Sequence, residues 1–173
     1  EFDLVLEGER LAALLADFGV SRVHIHHVLH FGEGLKPFIG RLGLPFDFTI
    51  HDYFTVCPRI HLGGTESSYC GEPDDAACNA CIKRDNPVYD RSITDFRTMQ
   101  AWLLNDAARV IAPSHDTANR IRRYFPSAEI RVVPHVSDRI GTFEPALPSI
   151  SPEERFRVLM LGVVAPHKGL AKL

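Results

Sequence analysis

Residues 109–134 read RVIAPSHDTANRIRRYFPSAEIRVVP, and this stretch decides the predicted fold class. It predicts a strand from Arg109 to Ala112, a helix from Ser114 to Tyr124 and a strand from Ile130 to Pro134. Ser114 suits the N-cap of this helix, because its hydroxyl can accept a hydrogen bond from the free amides of the first turn. A strand, a helix and a strand in this order are typical of one unit of a parallel sheet.

The same alternation of helices and strands extends toward the N-terminus. Helical spacing of leucines predicts a helix that ends near Gly19, and a strand follows from Arg22 to His26. A short helix is predicted from Lys36 to Leu42 and a strand from Phe46 to Ile50. We interpret the strands as near-continuous apolar runs, so the sequence predicts an α/β fold: a Rossmann-like parallel sheet with helices on both faces.

Regular periodicity disappears between residues 53 and 88 and resumes in a predicted helix from Asp90 to Asp106. The interval contains glycines, prolines and all four cysteines of the chain. A structureless loop of this length is uncommon in a compact domain unless a cross-link holds it. We therefore expect a long cysteine-containing loop that is pinned by its own chemistry.

The cysteines have the spacing C-x12-C-x7-C-x2-C, and they are Cys57, Cys70, Cys78 and Cys81. The C-x2-C pair can chelate one ion through two thiolates, and the other two thiols can complete a closed tetrahedral zinc site. This spacing predicts a structural zinc that performs no chemistry. Two disulfides in an oxidising compartment, or four unrelated thiols, remain as alternatives; a redox-active C-x-x-C is less favoured, because it would be expected at the start of a helix after a strand.

The charge balance argues against several classes of partner. Nineteen Lys and Arg stand against 22 Asp and Glu, which gives a net charge of −3 and a pI near 6.3. This balance provides no basic footprint for nucleic acid and no basic face for an anionic membrane. The longest nearly apolar stretch, 158–166, is far shorter than the roughly 20 residues that cross a bilayer.

The ends of the chain suggest a piece of a larger protein. The sequence begins without Met, shows no charged-then-apolar leader, and ends at Leu173 just after a helix is predicted to begin. Three prolines mark residues 137–154 as a linker, between a first domain at 1–136 and the opening strand and turn of a second domain at 155–173. We expect a cytoplasmic protein, with peripheral association at the inner face of the membrane through the full-length chain.

Histidines follow or end two of the predicted strands, where ligands bind in open parallel sheets. His51 stands at the end of one strand, and His24, His26 and His27 stand in and just after another. His24 and His26 point to the same side of their strand, so one alternative is a zinc-dependent hydrolase that uses this pair. Another alternative is a non-catalytic interaction module organised by the four-cysteine site.

Five segments, in this order, resemble the family 4 retaining glycosyltransferases, which have the GT-B fold of two facing Rossmann-like domains. They are VHIHH at 23–27, TIHDY at 49–53, VIAPS at 110–114, VVPH at 132–135, and VLMLG at 158–162 running on to Lys168-Gly169. The resemblance covers most of the chain. It implies the latter part of an acceptor-side domain, a linker, and the start of a nucleotide-sugar-binding domain.

The resemblance also implies a site for the donor phosphates. The family's second domain opens with a strand, Gly-Arg, four residues and Lys-Gly, in which Arg and Lys hold the donor pyrophosphate. Gly162 and Lys168 match this pattern, whereas Val163 stands where the arginine is expected. The family's Glu pair would lie beyond Leu173 and its first strand before residue 1, so we expect this piece alone to be inactive.

The remaining expectations concern the reaction and its partners. The resemblance implies transfer of a hexose-type sugar from a nucleotide-sugar donor to a glycan or lipid-linked acceptor, with retention and without a catalytic metal. It places an active-site histidine at His51, which would contact the sugar or the leaving phosphate. His27 and Arg59 are candidates for the acceptor cleft, since His27 follows a strand and Arg59 could meet an acceptor phosphate.

Overall fold

Parallel strands form the centre of the computed structural model, which describes residues 2–29, 31–64, 68–88 and 90–134. Within these residues the sheet has four strands that pair in chain order: β1 (Val23–Ile25), β2 (Phe46–Thr49), β3 (Arg109–Ala112) and β4 (Ile130–Val132). All three pairings are parallel. The α/β class with a Rossmann-like parallel sheet is therefore confirmed.

Helices connect the strands. They are α1 (Gly8–Asp17), α2 (Leu35–Leu42), α3 (Asp75–Asp85), α4 (Ile93–Gln100), α5 (Trp102–Asn105) and α6 (His115–Tyr124), with a 3-10 turn at Gly32–Gly34. Ser114 caps α6 as predicted, because its side chain accepts a hydrogen bond from the amide of Thr117. Gly43 ends α2 with a φ of 61°, a conformation that favours glycine. The helix predicted from residue 90 to 106 is two helices, divided at Ala101.

The prediction that residues 53–88 lack regular structure was wrong for residues 75–85, which form α3. The Asp74 side chain starts this helix by accepting a hydrogen bond from the amide of Ala77 at 2.9 Å. Only Ile82 is buried along α3. Helical periodicity is therefore nearly absent from its sequence, although the N-cap is strong.

The strands alternate between an apolar and a polar face, which differs from the apolar runs expected. Parallel register aligns Ile25 with Phe48 and Phe48 with Val110, and these three side chains are buried in one core. The ring of Trp102 from α5 packs on Phe46 in the same core, with centroids 5.3 Å apart. On β1 and β2 the intervening residues, His24, Asp47 and Thr49, are polar and lie on the opposite face of the sheet.

A buried carboxylate joins three neighbouring elements on this polar face. Asp47 is only 2% exposed, and its carboxylate accepts hydrogen bonds from Arg109 at 2.6 and 3.0 Å and from Arg22 at 2.7 Å. The hydrogen bonds from Arg109 and the charges of both arginines hold the pKa of Asp47 below its usual 3.8, although burial opposes this shift.

Replacement of Asp47 with Asn is expected to lower the free energy of unfolding by about 2 kcal/mol, because charged hydrogen bonds to a buried group are lost. The lowered pKa contributes stability that is present at neutral pH and is lost as the pH falls through it. The free energies of unfolding of wild type and Asp47→Asn, measured with urea, should therefore differ at neutral pH, and this difference should become smaller below about pH 4. Asp17→Asn, an exposed change at the end of α1, is the control; a difference that persists unchanged at low pH would contradict the ion-pair explanation.

Among the described residues, no helix combines the length and apolar character needed to cross a membrane. The linker and the second-domain start predicted at 137–154 and 155–173 lie outside the described residues.

Candidate active site

The ends of β1 and β2 bring two histidines into direct contact. His26 follows β1 and His51 follows β2, and His26 Nδ1 lies 2.8 Å from His51 Nε2. One of these nitrogens donates and the other accepts, so only one proton lies between the two rings. Both side chains are exposed. The predicted site residue His51 therefore lies at the carboxyl edge of the sheet, with its ring held by a partner from the neighbouring strand.

This pair is the last step of a polar ladder along β1 and β2. Each step joins two side chains 25 residues apart: Arg22 with Asp47, His24 with Thr49, and His26 with His51. His24 Nε2 lies 2.8 Å from Thr49 Oγ1, and the His24 ring stacks on His26 with centroids 4.2 Å apart. The spacing of two residues per step follows from the pleat of the strands.

His27 binds Asp52 at the same edge of the sheet. The amide of Leu29 donates to His27 Nδ1 at 3.0 Å, so the ring proton is on Nε2, which lies 2.7 Å from Asp52 Oδ2. The other carboxylate oxygen of Asp52 accepts from the amide of Phe54 at 2.8 Å. Since both nitrogens of His27 are engaged, its observed role is to join the two strand ends.

The small space beside these histidines is nearly filled by protein. A cavity of about 10 Å³ is lined by the His26–His51 pair, the His27–Asp52 pair and Thr55. The Thr55 hydroxyl is buried without a hydrogen-bond partner among the described residues. This volume is close to the minimum that holds one water molecule. A ligand larger than a water molecule would therefore lie over the exposed edge rather than inside this cavity.

Two larger cavities lie nearby and share part of their walls. They have volumes of about 410 and 370 Å³, and both are lined by Leu29, Phe54, Arg91 and Met99. Arg59 lines the smaller one. Its guanidinium donates to the carbonyls of Gly63 at 2.9 Å and Gly64 at 3.3 Å, and it lies 2.6 Å from Asp85. In the structure, Arg59 therefore fixes the loop to the end of α3.

The four cysteines are free thiols, all partly buried. Burial raises the pKa of Cys57, and the nearby sulfurs of Cys70, Cys78 and Cys81 add to this increase. Burial likewise raises the pKa of Cys78, against the opposing charge of Arg97. The segments that carry these cysteines are thus near one another, although no three Cys, His, Asp or Glu side chains of the described residues are arranged as a metal-binding group.

A buried glutamate ties the cysteine-containing segment to α6. The Glu72 side chain is 4% exposed and is paired with Arg120. It also accepts hydrogen bonds from the hydroxyls of Tyr69 at 2.6 Å and Tyr124 at 2.9 Å. Burial alone would raise the pKa of Glu72, but these hydrogen bonds and Arg120 hold it below the usual value. Glu72 has a φ of 52°, which is unfavourable for a residue with a side chain and indicates that its contacts hold it in place.

The sequence had not indicated several of these contacts. It placed His26 at a strand end and offered it as a metal ligand in one alternative, but it did not predict the contact with His51; Thr49 and Glu72 were not recognised. The equal 25-residue separation of the polar positions on β1 and β2 is the signal that could have found the ladder, once the register was known. The predicted phosphate-binding residues Gly162 and Lys168 lie outside the described residues, as does Val163.

Comparison with known proteins gives one significant match. A search of curated proteins and a search of solved structures each find no significant match. The model of the family described as Glycosyltransferase Family 4 matches residues 4–138, which includes the whole described sheet and both histidine-bearing strand ends. The chain therefore belongs to glycosyltransferase family 4, whose domain serves the transfer of a sugar from a donor to an acceptor.

Proposed function

We propose that this chain supplies the acceptor-side half of a GT-B enzyme that transfers a hexose-type sugar from a nucleotide-sugar to a glycan or lipid-linked acceptor, with retention. The observation that carries the proposal is the hydrogen-bonded pair of His26 and His51 at the carboxyl edge of the sheet. Ligands of open parallel sheets bind at this edge. The family match supports sugar transfer in general.

His51 is the residue that would contact the sugar or the departing phosphate. When its Nε2 accepts a hydrogen bond from His26, the proton of the neutral ring is on Nδ1. A proton on Nδ1 makes that atom a hydrogen-bond donor, and the partner on β1 limits rotation of the ring. A donor held in advance stabilises developing charge at low reorganisation cost. His26 acts through His51 and is therefore a positioning residue.

The donor would be held by the part of the chain after residue 134. There the glycine at 162 and the lysine at 168 are proposed to bind the donor phosphates, since a lysine side chain adds positive charge to the backbone amides that bind an anion. The departing phosphate would be stabilised by this charge and by the amides, without a catalytic metal.

The acceptor is proposed to lie along the two cavities of about 410 and 370 Å³. Their shared wall includes Leu29, Phe54 and Met99, which suits a lipid-linked or otherwise partly apolar acceptor. His27 and Arg59, which we place in the acceptor cleft, would shape it through the loops they hold. An acceptor of this kind would bring the cytoplasmic protein to the inner face of the membrane as a peripheral component.

The proposal is tested by incubating the whole protein with a panel of nucleotide-sugars and with glycan and polyprenyl phosphate acceptors. We expect release of nucleoside diphosphate that depends on both substrates, and proton NMR of the product should show the anomeric configuration of the donor. Hydrolysis of phosphate or amide bonds that requires added zinc and is abolished by His24→Ala would instead support the hydrolase alternative.

A further inference from the structure

The cysteine-containing segment lies between two apolar clusters, one large and one small. Cys57 and Cys70 pack against the main core of the sheet. Cys78 packs against a separate cluster in which only Ile82, Ile93 and Phe96 are buried. Val56 and Leu62, from the same segment, are buried in the main core. The apolar contacts of the segment are therefore divided between two clusters, which a cross-link between its cysteines would join.

Helix α3 presents two of the thiols together. Cys78 and Cys81 are three residues apart on this helix, so their side chains lie on the same face, one turn from each other. The helix is fixed at its start by the Asp74 N-cap. It is also fixed against α4, because the amide of Ile93 donates to Asn79 Oδ1 at 2.7 Å. The C-x2-C pair is therefore held by a rigid element rather than by a free loop.

Arg97 from α4 connects this pair to the segment that carries Cys57. Its Nε donates to the carbonyl of Val56, the residue before Cys57, at 3.1 Å. Another nitrogen of the same guanidinium lies 3.9 Å from Cys78 Sγ. The Arg97 side chain is 15% exposed. The same guanidinium is paired with Asp75 at the start of α3 at 2.6 Å, so it joins the Cys57 segment to this helix, and only part of its charge is available to offset thiolates.

Cys70 follows the antiparallel bridge between Gly63 and Tyr69. Its amide donates to the carbonyl of Leu62 at 2.9 Å, next to this bridge. The amide of Glu72 points at Cys70 Sγ at 3.4 Å. Amide donors to sulfur stabilise metal-bound thiolates. The Glu72 contacts with α6 hold this arm against the rest of the domain.

We propose that the four cysteines bind one structural zinc ion that joins the two apolar clusters. Four thiols would bind Zn²⁺ as thiolates and release four protons, which gives a closed tetrahedral centre with a net charge of −2. Arg97, which is also paired with Asp75, lies beside Cys78 and would offset part of this charge. The thiols are not already in ligand geometry in the described residues, so zinc binding would have to bring them together. The closed ligand set leaves no position for a substrate.

The test is the zinc content of the purified protein after gel filtration. We expect one zinc ion per chain in the wild type and less than a tenth of this in Cys78→Ser/Cys81→Ser. The matched control is His24→Ala/His26→Ala, which should keep its zinc, because the hydrolase alternative ties the metal to those histidines. Zinc that remains after the cysteine change, or that is lost in the histidine variant, would overturn the proposal.

A second measurement does not depend on the variants folding. Cobalt added to the reduced wild-type protein should produce the strong visible absorption of tetrahedral Co²⁺ with thiolate ligands, and an equal amount of zinc should abolish it. Folded wild-type protein that takes up neither ion would overturn the proposal. A denatured protein whose cysteines do not react with Ellman's reagent would also overturn it, because those cysteines would then be disulfides.

Discussion

His51→Ala is expected to lower the rate of sugar transfer about a hundredfold, the usual cost of removing one preorganised donor from a reacting centre. The effect should be mainly on kcat, since the nucleotide is proposed to be held by the later part of the chain. The measurement is the steady-state rate of nucleoside diphosphate release by the whole protein. Asp17→Asn, on the exposed end of α1, should leave the rate unchanged.

Substitution of His26, the partner of His51, is expected to cause a smaller loss of the same activity. His26→Ala should lower kcat about tenfold with little change in KM, because the His51 ring then loses the partner on β1 that limits its rotation but can still carry a donor. His26→Asn should restore part of the loss, since an amide side chain can also hydrogen-bond the ring. Equal rates for wild type and His51→Ala would contradict the assignment of His51.

Glu72→Ala is expected to cause the largest loss of stability, about 3 kcal/mol in the free energy of unfolding. The change leaves Arg120 without its buried partner, and removal of one member of a buried ion pair is costly. Two tyrosine hydroxyls also lose their acceptor. Chemical denaturation of the folded chain measures the loss.

The same arginine supplies the control for this prediction. Asp116 pairs with Arg120 at 2.8 Å but its side chain is 68% exposed. Asp116→Ala should therefore cost no more than about 1 kcal/mol. If the two variants lose similar stability, the burial of Glu72 would not be the reason for its contribution.

Local patterns in the sequence were sufficient to predict most of the helices and strands. β3 was predicted with its observed ends, and the cap at Ser114 was also identified correctly. These features depend on neighbouring residues alone. Helix α3 was missed because its residues bury only one side chain, so no apolar stripe marks it.

The candidate site could be predicted only in part, because its contacts join residues far apart in sequence. The position of His51 after β2 could be inferred from the order of strands. Its bond to His26 depends on the register of β1 with β2, which a single sequence does not provide. Arg59 was predicted to meet an acceptor phosphate, whereas in the structure it binds Gly63 and Asp85. These partners are brought to it by the folding of the loop and α3, which local sequence patterns do not specify.

The most direct test of the central claim is a crystal structure of the whole protein with a bound nucleotide-sugar. We expect the sugar to lie over the carboxyl ends of β1 and β2, with a hydroxyl or phosphate oxygen about 3 Å from the imidazole of His51. A sugar bound away from this edge, with His26 and His51 still paired and untouched, would contradict the claim.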